Sequence, residues 1–382
     1  MHRSIRIMEL TCAEGEGGGP DKTILLGAAQ ADPQRYAITV CYVVGGKGGS
    51  FGIAERARAL GVQVLCLEER SRFDLAVWRA MRQLVRDRQI DIVHAHGYKA
   101  DLYASLLARK EGVIPLATVH GFTGHTWRER FLYYPLDRRL LARFPKVIAV
   151  SSELRNTLLR AGARPEQVET ILNGIDPRVF RRCPDRVPEY RSSLGVAPGE
   201  IVLGTVGRLE RQKRFDVLLG VLAELLPSRP QLRLLVAGEG SLGSQLKQLA
   251  ERLGVAHACR FLGHRRDVDR IYQAMDVFVQ SSDYEGTPNV VLEAMAFETP
   301  VVATDVGGTT ELIENGSHAL VVPPRRPDLL ARAILEVIQD PAATKRRVAA
   351  ARARVEQEFS FEARMRAVER VYESLMLQRG QG

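Results

Sequence analysis

The chain has 382 residues, 45% hydrophobic and 26% charged, with a formal net charge of +9. That length exceeds one small domain and suits two of roughly 150 to 200 residues, each with its own core, and the composition is that of a soluble globular protein rather than a disordered or fibrous one. The five cysteines, Cys12, Cys41, Cys66, Cys183 and Cys259, are scattered and lack C-x-x-C spacing, which excludes a disulfide framework or zinc motif and points to a reducing cytosol.

Apolar runs of strand length alternate with longer helical patterns, which predicts parallel α/β sheets. Strand candidates in the first half are 5–10, 37–44, 62–67, 90–94, 116–120 and 146–151. Those in the second half are 201–207, 232–238, 259–262, 277–280, 301–304 and 319–322. Between the two sets, residues 173–199 are rich in Pro, Arg and Gly, which places a linker and the start of a second domain there. The expected organisation is a first domain at 1–180, a second at 181–360 and a tail helix at 361–382. The N-terminus reaches Glu9 before any apolar run long enough for a signal peptide, and no run approaches the length of a membrane span.

In the first half, Gly15-Glu16-Gly17-Gly18-Gly19-Pro20 follows the first strand and precedes a helical run. Glycines there let the backbone approach a ligand and leave a helix N-terminus open to an anion or a sugar hydroxyl; a flexible turn fits the same residues. A dinucleotide fingerprint does not fit, since the spacing is not G-x-G-x-x-G and the second strand ends Val43-Val44-Gly45-Gly46 without an acidic residue for a ribose. His94 and His96 share one strand face at a spacing that invites a metal, but no Cys or further His nearby in sequence completes a ligand set. They read as packing and acceptor-side residues. His120 ends a strand candidate and is followed by Gly121, which puts a polar side chain at the strand's carboxyl edge.

Residues 1–178 carry 26 basic against 19 acidic groups, so most of the excess charge belongs to the first domain. Part of it lies between Trp127 and Phe144, where arginines alternate with aromatic and aliphatic residues. That pattern suits a segment on an anionic lipid surface and equally an amphipathic helix packed on its own sheet. No nucleic-acid recognition motif accompanies it.

In the second half, Gly207-Arg208-Leu209-Glu210-Arg211-Gln212-Lys213 leaves an apolar strand and enters a helix near Phe215. Arg208 and Lys213 therefore share a loop at a strand's carboxyl end, where ligands sit in parallel sheets, and their charges suit a departing diphosphate. Asp267-Val-Asp269 reads as a helix start rather than a metal motif. In Glu285-Gly286-Thr287-Pro288-Asn289-Val290, Thr287 is expected to cap a helix whose first turn holds Pro288, with free N–H groups facing an anion. Glu293 lies eight positions after Glu285, among Val, Leu, Ala, Met and Phe, so it is expected to be buried and to need a partner.

Together these residues resemble the donor half of the retaining nucleotide-sugar glycosyltransferases of family four, which share the GT-B architecture of two Rossmann-like domains facing each other across a cleft. The Gly207 to Lys213 loop and the Glu285 to Glu293 spacing match that family's motifs, and Gly17-Gly18-Gly19, Val119-His120-Gly121, Asn173-Gly174-Ile175-Asp176, Phe261-Leu262-Gly263 and Val306-Gly307-Gly308 follow in its order. The resemblance implies that Arg208, Lys213 and the helix start at Thr287, Pro288, Asn289 and Val290 hold the diphosphate. It further implies that Glu293 holds the ribose, Glu285 the sugar hydroxyls, Phe261 and Leu262 the base, and that His120 faces the donor sugar, with Gly17 and Gly18 in the first glycine loop. It implies an enzyme that passes sugar from a nucleotide-diphosphate donor to a saccharide or lipid-linked acceptor. The expected setting is cytoplasmic, with the membrane's inner face as the alternative that the basic aromatic stretch offers, and no metal or other cofactor is expected because Arg208 and Lys213 can neutralise the diphosphate. An epimerase of the same fold and a non-catalytic nucleotide-sugar binder are the alternatives. In this family the tail helix packs back on the first domain.

Overall fold

The computed structural model describes residues 3–13, 19–45, 51–71, 74–122 and 127–380. The chain forms two compact units, Met1–Asn173 with Glu362–Gly382, and Gly174–Phe361. The division falls ahead of residue 180 because the chain beyond Asn173 is already tied into the second unit. Ile175 donates its N–H to the Phe359 carbonyl at 2.9 Å, and the Arg352 guanidinium donates to the carbonyls of Pro177 at 2.8 Å and Phe180 at 2.6 Å.

The first unit holds a seven-stranded sheet in the order β3-β2-β1-β4-β5-β6-β7. Its strands are β1 Ile5–Ala13, β2 Tyr36–Gly45, β3 Val64–Glu69, β4 Ile92–His96, β5 Ile114–Val119, β6 Lys146–Ala149 and β7 Val168–Thr170. All are parallel, and every residue of β4 is buried. A parallel sheet covered on both faces demands such unbroken apolar runs, which is why six of the strands are visible in the sequence. The seventh, three residues long, is too short to leave a pattern. The tail helix Phe361–Gly380 belongs to this unit: Val368, Val371, Tyr372 and Leu375 pack against Ile7, Tyr36, Ile92, Leu116 and Ile148. Their three- and four-residue spacing lays one stripe of the helix on the sheet.

The second unit holds a six-stranded parallel sheet in the order β10-β9-β8-β11-β12-β13. Its strands are β8 Ile201–Val206, β9 Leu232–Ala237, β10 Cys259–Gly263, β11 Val277–Gln280, β12 Val301–Thr304 and β13 Leu320–Val322. β8, β11 and β12 are neighbours, so the loops after them emerge side by side. Burial of side chains such as Leu218, Leu222, Val279 and Ile334, each worth about 1.5 to 3 kcal/mol, holds this sheet and its helices together.

One buried pair in the first unit makes stability depend on pH. Asp101, on helix Tyr98–Glu111, and Asp137, on helix Tyr134–Leu141, are hydrogen-bonded to each other and almost fully buried. Burial, reinforced by Asp137, pushes the Asp101 carboxyl well above its usual range, and burial pushes Asp137 up to about 7. A carboxyl whose folded pKa is raised stabilises the fold in its protonated form; that contribution is complete below about pH 4 and is lost as pH rises through about 7. Thermal melting should therefore fall between pH 6 and pH 8. Asp137→Asn, which keeps a neutral partner for Asp101, should melt higher than the parent at pH 8 and show a shallower dependence; identical pH profiles would contradict the assignment.

Candidate active site

In the second unit the loop after β8 is pinned on both sides. Leu209 donates its N–H to the Glu239 carbonyl, Leu242 donates to the Leu209 carbonyl, and the Glu210 carboxylate accepts from the Ser241 N–H and hydroxyl. Further along, the Ser281 hydroxyl donates to the backbone carbonyls of Lys213 and Arg214, and Asp283 donates its N–H to the Gln212 carbonyl. Those contacts fasten the loop after β8 to the loop after β11. Across them Lys213 Nζ donates to Glu285 Oε1 at 2.6 Å, and the Ser282 hydroxyl donates to the same oxygen at 2.6 Å. The Lys213 and Glu285 side chains are only 14% and 8% exposed, so the charges are largely out of water and depend on each other. Arg208 is exposed on the same loop as Lys213.

A third loop closes on Glu285 from the β12 side. Gly307 has φ +51°, and a Cβ there would overlap the Glu285 carbonyl oxygen; Gly308 donates its N–H to the Gly286 carbonyl at 2.8 Å. Only glycine combines that backbone angle with that approach.

The helix after Glu285 runs Asn289–Ala296, with Pro288 rather than Thr287 at the N-cap position and no side-chain cap. The expected Thr287 cap is thus corrected. Pro288 adopts an extended conformation with ψ 102°, so the helix starts one residue later and Thr287 is buried in the preceding loop. Asn289 and Val290 form the first turn, without a side-chain cap, and the Asn289 Oδ1 is a buried acceptor with no hydrogen-bond partner among the described residues. Glu293 sits just over one turn into this helix. It is buried, and its Oε2 accepts from the Tyr272 hydroxyl at 2.9 Å. Phe261 and Leu262 lie on the edge strand β10, partly buried, with Phe261 packed on the core. Asp267 precedes helix Val268–Ala274 and is paired with Arg265 rather than capping the helix with its side chain.

In the first unit His120 follows β5 and is half-buried. Gly17 and Gly18 lie outside the described residues. Strand pairing sets Glu9 of β1 beside His94 of β4. Glu9 Oε2 lies 2.6 Å from His96 Nε2, and Oε1 accepts from the Tyr372 hydroxyl at 2.8 Å and lies 3.2 Å from His94 Nδ1. His94 Nε2 meets the Thr118 hydroxyl at 2.7 Å, and His96 Nδ1 meets His120 Nε2 at 3.0 Å. His94 and His96 are therefore not isolated packing residues. The third member, Glu9, comes from a strand some 85 positions away in sequence.

Glu9, His94 and His96 bring ligand-type atoms within 4.8 Å of one another, close enough together for a metal ion to be considered. Hydrogen bonds among the three, Tyr372 and Thr118 already engage those atoms, which describes a polar network. Burial alone would raise Glu9, but His94 and the hydrogen bonds from His94 and His96 outweigh it and hold the carboxyl well below its usual range. Burial lowers His96 and, more strongly, His120, with Arg364 nearby adding to both shifts. Glu9 and Tyr372 escaped the sequence reading. An acidic residue inside the otherwise apolar run Ile5–Ala13 was the available signal for Glu9.

The basic aromatic stretch folds as a π-turn, Glu129–Tyr133, and helix Tyr134–Leu141. Trp127, Phe131, Leu132 and Leu136 are exposed, together with Arg128 and Arg139, whereas Leu141 and Phe144 are buried in the core. Arg138 belongs to the packed side, its guanidinium 4.3 Å from the centre of the Phe122 ring. Among the described residues no helix is long and apolar enough to cross a membrane.

Two sheets of Rossmann type, with charged side chains gathered at the carboxyl ends of their strands, define a GT-B protein. Residues 18–179 match the model of Glycosyltransferase Family 4 and residues 187–354 that of Glycosyl transferases group 1. The chain is 33% identical over 71% of its length to EpsD of Bacillus subtilis, provisionally named a glycosyltransferase, covering 74% of that protein. It is 30% identical over 76% of its length to the glycogen synthase of Mycobacterium tuberculosis, covering 71% of it. Among solved structures, Anabaena HepE in complex with UDP and glucose superposes with a TM-score of 0.85 at 24% identity, covering 97% of this chain and all of that one. The chain belongs to the family-four glycosyltransferases.

Proposed function

We propose that the protein is a retaining glycosyltransferase that moves a sugar from a nucleotide-diphosphate donor to a saccharide or lipid-linked acceptor. The observation that carries this reading is the Lys213–Glu285 pair, built by the loops after β8 and β11, with Arg208 exposed on the same loop as Lys213. Arg208 and Lys213 stabilise the charge that grows on the departing diphosphate, a task for fixed cations that does not require a metal. The uncapped first turn at Asn289 and Val290, following Thr287 and Pro288, adds backbone donors for a phosphate oxygen. Glu293 takes the ribose, Glu285 the sugar hydroxyls and the Phe261–Leu262 edge the base, and His120 faces the sugar. Glu285 already accepts from Lys213 and Ser282, which suits a hydroxyl-binding carboxylate better than a nucleophile. The acceptor hydroxyl then attacks on the face from which the diphosphate leaves, so the anomeric configuration is retained.

That HepE was solved with UDP and glucose, and that a 34% identical relative from Rhizobium meliloti is named a lipopolysaccharide core mannosyltransferase, supports both the donor class and an acceptor in cell-surface polysaccharide or glycolipid synthesis. Transfer should require both donor and acceptor, proceed unchanged in saturating EDTA and yield a product with the donor's anomeric configuration by NMR. Donor isomerised alone would indicate an epimerase, and donor bound but unchanged a binding protein. EDTA-abolished activity restored by magnesium would overturn metal independence.

A lipid-linked acceptor goes with a membrane-facing surface, which the exposed Trp127, Phe131, Leu132, Leu136, Arg128 and Arg139 supply. Each basic group near an anionic surface is worth about 1 kcal/mol and is screened by salt. The protein should co-sediment with phosphatidylserine vesicles at low salt, dissociate as salt rises, and bind less when Trp127→Ala, Phe131→Ala, Arg128→Gln and Arg139→Gln are combined. Equal recovery with neutral vesicles would favour a soluble acceptor.

A further inference from the structure

The Glu9, His96 and His120 side chains form a line in which hydrogen-bond direction is fixed from one end. A carboxylate only accepts, so Glu9 Oε2, 2.6 Å from His96 Nε2, requires the proton on that nitrogen. A neutral His96 ring then offers only a lone pair at Nδ1. His120 Nε2, 3.0 Å from that lone pair, must carry the hydrogen, which leaves a lone pair at His120 Nδ1. No hydrogen bond reaches His120 Nδ1 among the described residues.

The buried end of the line is held from several elements. Tyr372 on the tail helix donates to Glu9 Oε1, His94 of β4 lies against the same oxygen, and Thr118 of β5 meets the far side of His94. Arg364 on the tail helix places a buried cation near both His96 and His120, and burial lowers both rings, which keeps them neutral.

We propose that Glu9, acting through His96, is a positioning residue that locks His120 in its Nε2–H tautomer and makes Nδ1 a hydrogen-bond acceptor for a hydroxyl of the sugar. The inference rests on the reading that His120 faces the sugar, and it adds which way that contact is polarised. A His120 held the other way round would offer a donor there. Sugars lacking the contacted hydroxyl, or carrying fluorine in its place, are then poor substrates for the same reason: neither can donate to Nδ1.

The test is the ring tautomer in the full-length protein labelled with nitrogen-15 histidine, read by long-range proton–nitrogen correlation at pH 7.5, with His120→Gln and His96→Asn to assign the signals. Both His96 and His120 should show the Nε2–H pattern in the unliganded protein; an Nδ1–H or doubly protonated pattern at either ring overturns the proposal. In His96→Leu, which removes the acceptor, His120 should populate both tautomers, and kcat/KM should fall on the order of tenfold, the scale of one hydrogen bond. His96→Asn, whose side-chain oxygen can stand near the Nδ1 position, should restore the single His120 tautomer and most of the activity. An unchanged His120 spectrum in His96→Leu sinks the relay. If His96→Leu fails to fold, the parent spectrum alone still decides. Because that spectrum needs no substrate, a correct tautomer in a protein that transfers no sugar would fault the functional reading and leave the relay standing.

Discussion

Arg208→Ala and Lys213→Met should each lower kcat by roughly 100-fold or more at saturating donor, the scale of losing one preorganised electrostatic donor. The two losses have different side effects. Arg208 is exposed, so its removal should leave thermal melting nearly unchanged. Lys213 is bound to Glu285, and its removal strands a carboxylate that is only 8% exposed. Breaking such a pair from one side typically costs about 3 to 5 kcal/mol, so Lys213→Met should also melt lower. Adding Glu285→Gln should recover much of that melting temperature without recovering turnover, because the stranded charge is gone but the cation is still missing. Steady-state kinetics and thermal melting on the four proteins check this, and turnover near the parent rate in both single variants would remove the clamp from the mechanism.

Gly307→Ala should be almost inactive and clearly destabilised. The added Cβ meets the Glu285 carbonyl oxygen, a backbone atom that cannot swing aside, and φ +51° disfavours any L side chain. Strain of about 1 to 2 kcal/mol and overpacking of about 1 to 3 kcal/mol should add, and relief requires the Glu285 loop to move away from Lys213. Gly316→Ala separates the two causes, since Gly316 also has positive φ, +81°, but open space around it. Gly316→Ala should lose only modest stability and keep its activity. Comparable losses in the two variants would show that backbone angle, not the approach to Glu285, sets the effect.

Most strands were legible because buried parallel strands carry continuous apolar runs, as 277–279 and 301–303 do. The motif loops were legible for a related reason: glycines and charged residues interrupt those runs where the strands end. Pairing was not. Lys213 and Glu285 stand 72 positions apart and meet only because β8 and β11 are neighbours in the sheet, an order that periodicity does not encode. The same holds for Glu9, His96 and Tyr372, gathered from two strands and the tail helix. The Thr287 cap failed because Pro288 itself stays extended and takes the N-cap position, moving the helix start to Asn289.

The central claim is that the second unit grips a nucleoside diphosphate through Arg208 and Lys213. Thermal melting of the parent and of Arg208→Ala with UDP, GDP and ADP, all in EDTA, tests it most directly, because a ligand that binds only the native state raises stability by mass action. At least one nucleotide should raise the parent's melting temperature with increasing concentration, and Arg208→Ala should show little or no shift with that nucleotide. No shift with any nucleotide, or an equal shift in Arg208→Ala, would contradict the account.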